Sequence, residues 1–178
     1  MKPVRLVPAG DVDQSMLDAV RLAVVRQYNV ACRDARHSLD LAFAFHPERA
    51  QYHSTMIIER LAQIDGTDDI IVGVTGLDLF IPILKYVFGE AQLGGRCAVV
   101  SFHRMLQPFY GLPADPELTA TRISKTAVHE IGHTLGLTHC DDYDCVMAAS
   151  HSVEWLDVKG SWLCSTCGKV LSFSPALR

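Results

Sequence analysis

The chain has 178 residues, 49% of them hydrophobic, a formal net charge of −4 and six cysteines. That length suffices to bury one core and is short for two, and the mildly acidic balance provides no electrostatic footprint for nucleic acid or an anionic membrane surface. Peptides, proteins or small molecules are the expected partners.

The opening MKPVRLVPAGDVDQ is cut by Pro3 and Pro8 and carries Asp11 and Asp13, unlike a secretory leader, and no later stretch is long enough to span a bilayer. The expectation is a cytoplasmic monomer. In a reducing compartment its cysteines serve as metal ligands or buried side chains rather than as disulfides.

In chain order, Pro3 to Val7 reads as a strand, and Met16 to Tyr28 as a helix carrying Leu17, Val20, Leu22, Ala23 and Val24. An extended stretch at Val30 to Ala35 precedes a helix from about Gln51 to Gln63, with Met56, Ile57 and Leu61 inward. Asp65 and Gly66 mark a turn. The near-continuous apolar run Ile70 to Val74 suits a strand buried on both faces of a helix-flanked sheet. After Gly94 and Gly95 comes the strand Cys97 to Phe102, placed near a site because the glycines permit close backbone approach. Leu106 to Ala114, with Pro108, Gly111 and Pro113, is a loop.

Asp115 and Pro116 supply an N-cap and a first-turn proline, so a long helix starts there. Ile123, Ala127, Ile131 and Leu135 recur every fourth residue as its inward stripe, with Arg122 and Lys125 directed elsewhere, and Gly136 ends it. The remainder to Arg178 has little periodicity and is expected to be irregular and stapled by metal. The fold class is α/β with a mixed sheet. One domain is expected over residues 1–178, with a sheet-and-helix part over about 1–137 and a metal-stapled C-terminal part over about 138–178.

The chemistry concentrates in His129, Glu130, Ile131, Gly132, His133, Thr134, Leu135, Gly136, Leu137, Thr138, His139. Histidines four apart project from one helix face a turn apart and can reach one zinc. Glu130 lies about 100° further round the helix, where it can meet water beside the metal without ligating it. Gly136 can take the left-handed conformation that turns the chain and returns His139 as a third ligand. Three neutral imidazoles leave a fourth position open, as in a catalytic zinc site. Water bound there has a pKa near 7, and Glu130 is the candidate general base. A bare H-E-x-x-H also arises by chance in helices; the added Gly136 and His139 favour metal binding.

Cys140, Cys145, Cys164 and Cys167 form two short-spaced pairs that fit a closed four-thiolate zinc of structural character. Two disulfides or four unrelated buried thiols are the alternatives. Cys32 and Cys97 need only packing. His37, His46, His53, His103 and His151 lack ligand spacing, Tyr143 reads as an exposed loop residue, and Asp141, Asp142 and Asp144 keep that loop solvated.

The segments HEIGHTLGLTHC, CVM and CSTC, spanning Ala127 to Gly168, resemble the archaemetzincin family of metallopeptidases, as do VTGLDLF and FGEAQLGGRCAVVS upstream. The resemblance implies a metzincin-like fold with a backing helix, a zinc helix, a methionine turn at Met147 and two zincs. It also implies that the strand Cys97 to Phe102 is the edge of a cleft to which an extended peptide adds as a strand. Ala149 stands where some metzincins carry a zinc-assisting tyrosine, which argues against that device. The adjacency of His139 and Cys140 suggests that the structural zinc pins the loop holding the third catalytic ligand. The leading reading is a zinc metallopeptidase. A different zinc-dependent amide hydrolase and a catalytically weak zinc-binding interaction module are the alternatives.

Overall fold

The structure is a computed structural model that describes residues 1–64 and 68–173. Its main sheet is mixed. Strands β1 (Val4–Pro8), β2 (Cys32–Asp34), β5 (Ile70–Thr75), β7 (Gly89–Ala91) and β8 (Cys97–Ser101) lie in the order β2-β1-β5-β8-β7. All neighbours are parallel except β7, which pairs antiparallel to β8 at one edge. A small sheet of β3 (Phe45–His46), β4 (Gln51–His53) and β6 (Leu79–Phe80) flanks it, in the order β3-β4-β6.

The two-residue period of a strand divides the sheet's side chains between two cores. Leu6, Val72, Val74 and Val100 meet helices α1 (Gln14–Tyr28) and α3 (Pro116–Thr134), while Val7, Ile71 and Val99 meet α2 (Ser54–Ala62) on the other face. Every residue of β5 is buried, so its unbroken apolar run reflects cover on both sides. Asp13 caps α1 by accepting from Ser15 N–H, and Asp115 caps α3 by accepting from Leu118 N–H at 2.9 Å, with Pro116 at the first helical position. Helix α1 backs α3, and the buried Tyr28 hydroxyl donates to Val128 O at 2.7 Å. Among the described residues no helix is long and apolar enough to cross a membrane.

Several expectations change. The strand Cys97–Ser101 is interior, between β5 and β7, and the edge belongs to the short β7. The sequence of β7, GEA, has no apolar alternation to reveal a strand. The helix expected from Gln51 begins at Ser54, because Gln51–His53 is drawn into the small sheet by pairing with β3 and β6. Met56 is exposed, whereas Ile57 and Leu61 are buried. The loop from Leu106 contains a short 3-10 helix, Gln107–Tyr110. Arg122 and Lys125, which lie off the apolar stripe of α3, are buried as well. The tail is more ordered than expected, with α4 (Val153–Val158) and α5 (Ser165–Phe173). The turn at Asp65 and Gly66 lies outside the described residues.

Candidate active site and metal centres

Helix α3 presents His129 and His133 with their Nε2 atoms 3.0 Å apart. Their Nδ1 atoms lie 2.8 Å from Val146 O and 2.7 Å from Leu137 O. A carbonyl can only accept, so each Nδ1 carries the proton and both Nε2 atoms are bare lone pairs. Two lone pairs so close repel unless a cation lies between them. Tetrahedral bonds of about 2.0–2.1 Å to zinc place ligand nitrogens about 3.3 Å apart, so a small adjustment accommodates the ion.

The third imidazole arrives through a helix stop. Gly136 takes a φ of +91°, Gly136 N–H donates to His133 O, and Leu137 N–H donates to Gly132 O at 2.9 Å. This pair of bonds is a Schellman ending, which needs a left-handed residue at the Gly136 position. It turns the chain so that Leu137 O meets His133 and His139 stacks against His129, ring centroids 5.2 Å apart. Ligand nitrogens from all three histidines lie within 4.8 Å of one another. Burial holds His129 well below its ordinary pKa and lowers those of His133 and His139 as well, so the rings are neutral and ready to ligate.

Glu130 is buried beside this cluster, and burial pushes its carboxyl up to about 8, with Lys159 opposing that rise and Glu90 adding to it. The edge strand leaves room for it. A Cβ at Gly89 would fall 2.7 Å from both Glu130 Cγ and Oε1. Beyond Glu130 a cleft of about 450 Å³ opens between β7 and the segment after Met147, with Tyr86, Phe88 and Leu156 in its walls.

The second centre lies next along the chain. One Sγ from each of Cys140, Cys145, Cys164 and Cys167 falls within 4.8 Å of the others, and Cys140 and Cys164 sulfurs are 3.8 Å apart. Tetrahedral bonds of about 2.3 Å from zinc to thiolate put sulfurs about 3.8 Å apart. All four are free thiols, and backbone N–H groups of Cys164 and Cys167 donate to Cys145 and Cys164 Sγ respectively. The donor sets of both clusters therefore fit zinc.

Met147, expected as the methionine turn, and three basic residues to which sequence reasoning assigned no role surround the histidine cluster. Met147 packs under Gly132, where a Cβ would overlap its Sδ. Lys159, also buried, donates from Nζ to Val146 O at 2.9 Å and Ala148 O at 3.1 Å, the carbonyls on either side of Met147. Lys125 Nζ in turn donates to Leu156 O and Lys159 O. Arg122 binds both carboxylate oxygens of Asp157. The signal for the last two was present: positions 122 and 125 share one helix face with His129 and His133. Lys159 sits in an aperiodic tail where nothing distinguishes it from a solvated lysine. Of the other histidines, His103 Nδ1–H donates to Gly76 O, and His46 and His53 pack against the Phe80 ring. Tyr143 is exposed.

The chain as a whole is similar to known proteins. The family model described as Peptidase family M54 matches residues 37–172. An archaemetzincin of Methanocaldococcus jannaschii is 36% identical over 165 residues, covering 92% of this chain and 89% of the relative. The crystal structure of archaemetzincin from Methanopyrus kandleri superposes with a TM-score of 0.82 at 33% identity, covering 96% of this chain and 93% of that one. A zinc-dependent peptidase from Methanocorpusculum labreanum gives the same TM-score of 0.82 at 28% identity, covering 94% and 99%.

Proposed function

The chain belongs to peptidase family M54 and is a zinc metallopeptidase; from that premise we propose that His129, His133 and His139 hold the catalytic zinc, that Cys140, Cys145, Cys164 and Cys167 hold a structural zinc, and that Glu130 is the general base. The observation that carries this reading is the pair of bare Nε2 atoms 3.0 Å apart beside a buried carboxyl.

When bound, the catalytic zinc supplies Lewis acidity, lowering the pKa of its water to about 7 and polarising the scissile carbonyl. Glu130 accepts the proton of the attacking water and passes it to the leaving amine. Its burial raises its proton affinity in the metal-free chain, and the charge of a bound zinc would draw it back toward the carboxylate that accepts a proton. Val146 O and Leu137 O fix the tautomers of His129 and His133, so that the Nε2 atoms stay available. Strand β7, open on its outer edge, supports addition of an extended substrate alongside Gly89. The substrate is a peptide or an unfolded protein segment. Four free cysteines in one ligand cluster suit the reducing conditions of the cytoplasm.

Digestion of a peptide library by wild type and Glu130→Gln is the test. The variant should keep two zincs per chain and lose about 10²- to 10⁴-fold in turnover. Equal cleavage by both would remove Glu130 from the mechanism, and no cleavage of any peptide by the zinc-loaded wild type would favour the amide-hydrolase reading.

A further inference from the structure

The cleft beside Glu130 is lined by polar groups beyond the histidines and Glu130 itself. Lys159 lines it and is only 4% exposed. An ammonium has three N–H donors. Two are taken by Val146 O and Ala148 O, and no other acceptor engages Nζ among the described residues. Ser150 lines the same cleft, and its Oγ is buried with no hydrogen-bond partner. Buried polar groups in folded proteins are ordinarily satisfied, so a spare ammonium proton and a spare hydroxyl in one cleft mark a place where a ligand supplies the acceptor.

We propose that this cleft is a specificity pocket for a carboxylate, receiving the side chain of a glutamate or aspartate next to the scissile bond, with Lys159 Nζ and Ser150 Oγ as its donors. The inference rests on the peptidase reading for its occupant, though not for the pocket's chemistry. A carboxylate carries only acceptors and takes a charge-assisted bond from an ammonium and a neutral one from a hydroxyl. The walls, Tyr86, Phe88 and Leu156, suit the methylene stem of such a side chain. Among the described residues of the lining Glu130 is the one carboxylate, and two lysines, Lys159 and the exposed Lys85, outweigh it. A basic side chain would instead bring its cation against Lys159 in a poorly solvated site.

Paired peptides that differ only by glutamate against glutamine at the positions flanking the cleaved bond isolate the charge. Wild type should show a kcat/KM at least about tenfold higher for the glutamate peptide, the scale of one charge-assisted bond. Ser150→Ala should narrow that ratio and Lys159→Met should erase it. Because Lys159 also holds the Met147 turn, Ser150→Ala serves as the arm least exposed to misfolding, with zinc content and circular dichroism checked for both. Equal rates for the glutamate and glutamine peptides in wild type, or a glutamate preference that Ser150→Ala and a folded Lys159→Met both leave intact, would overturn the proposal. If no peptide is turned over, the peptidase reading falls and calorimetric binding of the same peptides still decides. Tighter binding of the glutamate peptide, weakened by Ser150→Ala, supports the pocket, and equal binding defeats it.

Discussion

The sulfur of Met147 occupies the space that a side chain at Gly132 would need. The glycine inside the zinc helix is thus a contact surface, where the helix backbone lies directly on the methionine that underpins its two histidines. In an ordinary helix interior, replacing glycine by alanine stabilises by about 1 kcal/mol. Here the sign should reverse. Gly132→Ala forces Met147 or the helix aside, and overpacking of this kind costs about 1–3 kcal/mol. The expected outcome is a lower thermal midpoint and weaker zinc binding by the histidines, read by calorimetry and chelator competition. A variant more stable than wild type would mean that Met147 moves freely and does not support the site.

Gly89 bears on Glu130 in the same manner but from the sheet edge. A Cβ there would fall 2.7 Å from the carboxylate oxygen, so Gly89→Ala should displace the proposed base without touching any proposed metal ligand. Zinc content should stay at two per chain while kcat falls by about 10²-fold, the penalty of a misplaced catalytic group. Loss of zinc in step with activity would show instead that the substitution disturbs the sheet.

How much of this was legible in advance depends on whether the determinant is local. The Schellman turn at Gly136, the Asp115 cap and the four-residue histidine spacing are properties of consecutive residues, and the sequence displays all of them. The position of β7 as the edge is set by pairing between segments, and its short GEA run carries no strand signal of its own. Arg122 and Lys125 lie off the apolar stripe of their helix, and charged side chains are usually exposed. The structure buries them since Asp157 and the carbonyls of Leu156 and Lys159 supply partners from a distant segment, and the sequence pattern of the helix contains no trace of those partners.

The two metal centres share a strand of backbone. Cys140 N–H donates to Met147 O at 3.1 Å, so the residue after the third imidazole ligand is bonded to the methionine turn. Cys164→Ser should therefore lose the thiolate zinc and also weaken zinc binding at the histidines by about 10- to 100-fold, as loss of outer support does elsewhere. Chelator competition on the variant measures both. Normal affinity at the histidines, with the thiolate zinc gone, would show the centres to be independent.

Thiol chemistry offers a check on the second centre that needs no substrate. In the metal-free chain the backbone N–H of Cys167 pulls the Cys164 thiol down to about 7, whereas burial pushes Cys32 up to about 11. The thiolate is the reactive form and dominates above the pKa. At pH 8 Cys164 is then mostly thiolate, and Cys32 holds about one part in a thousand of it. Alkylation of zinc-stripped protein that retains its circular dichroism should modify Cys164 long before Cys32, and the Cys164 rate should fall as pH drops through about 7. Zinc loading should protect Cys164 altogether, because its sulfur lone pair is engaged by the metal. Mass spectrometry of the modified peptides reads all three outcomes. Labelling of Cys164 at the same rate with and without zinc would dismiss the four-thiolate site, and labelling of Cys32 as fast as Cys164 would show that its burial does not persist in solution.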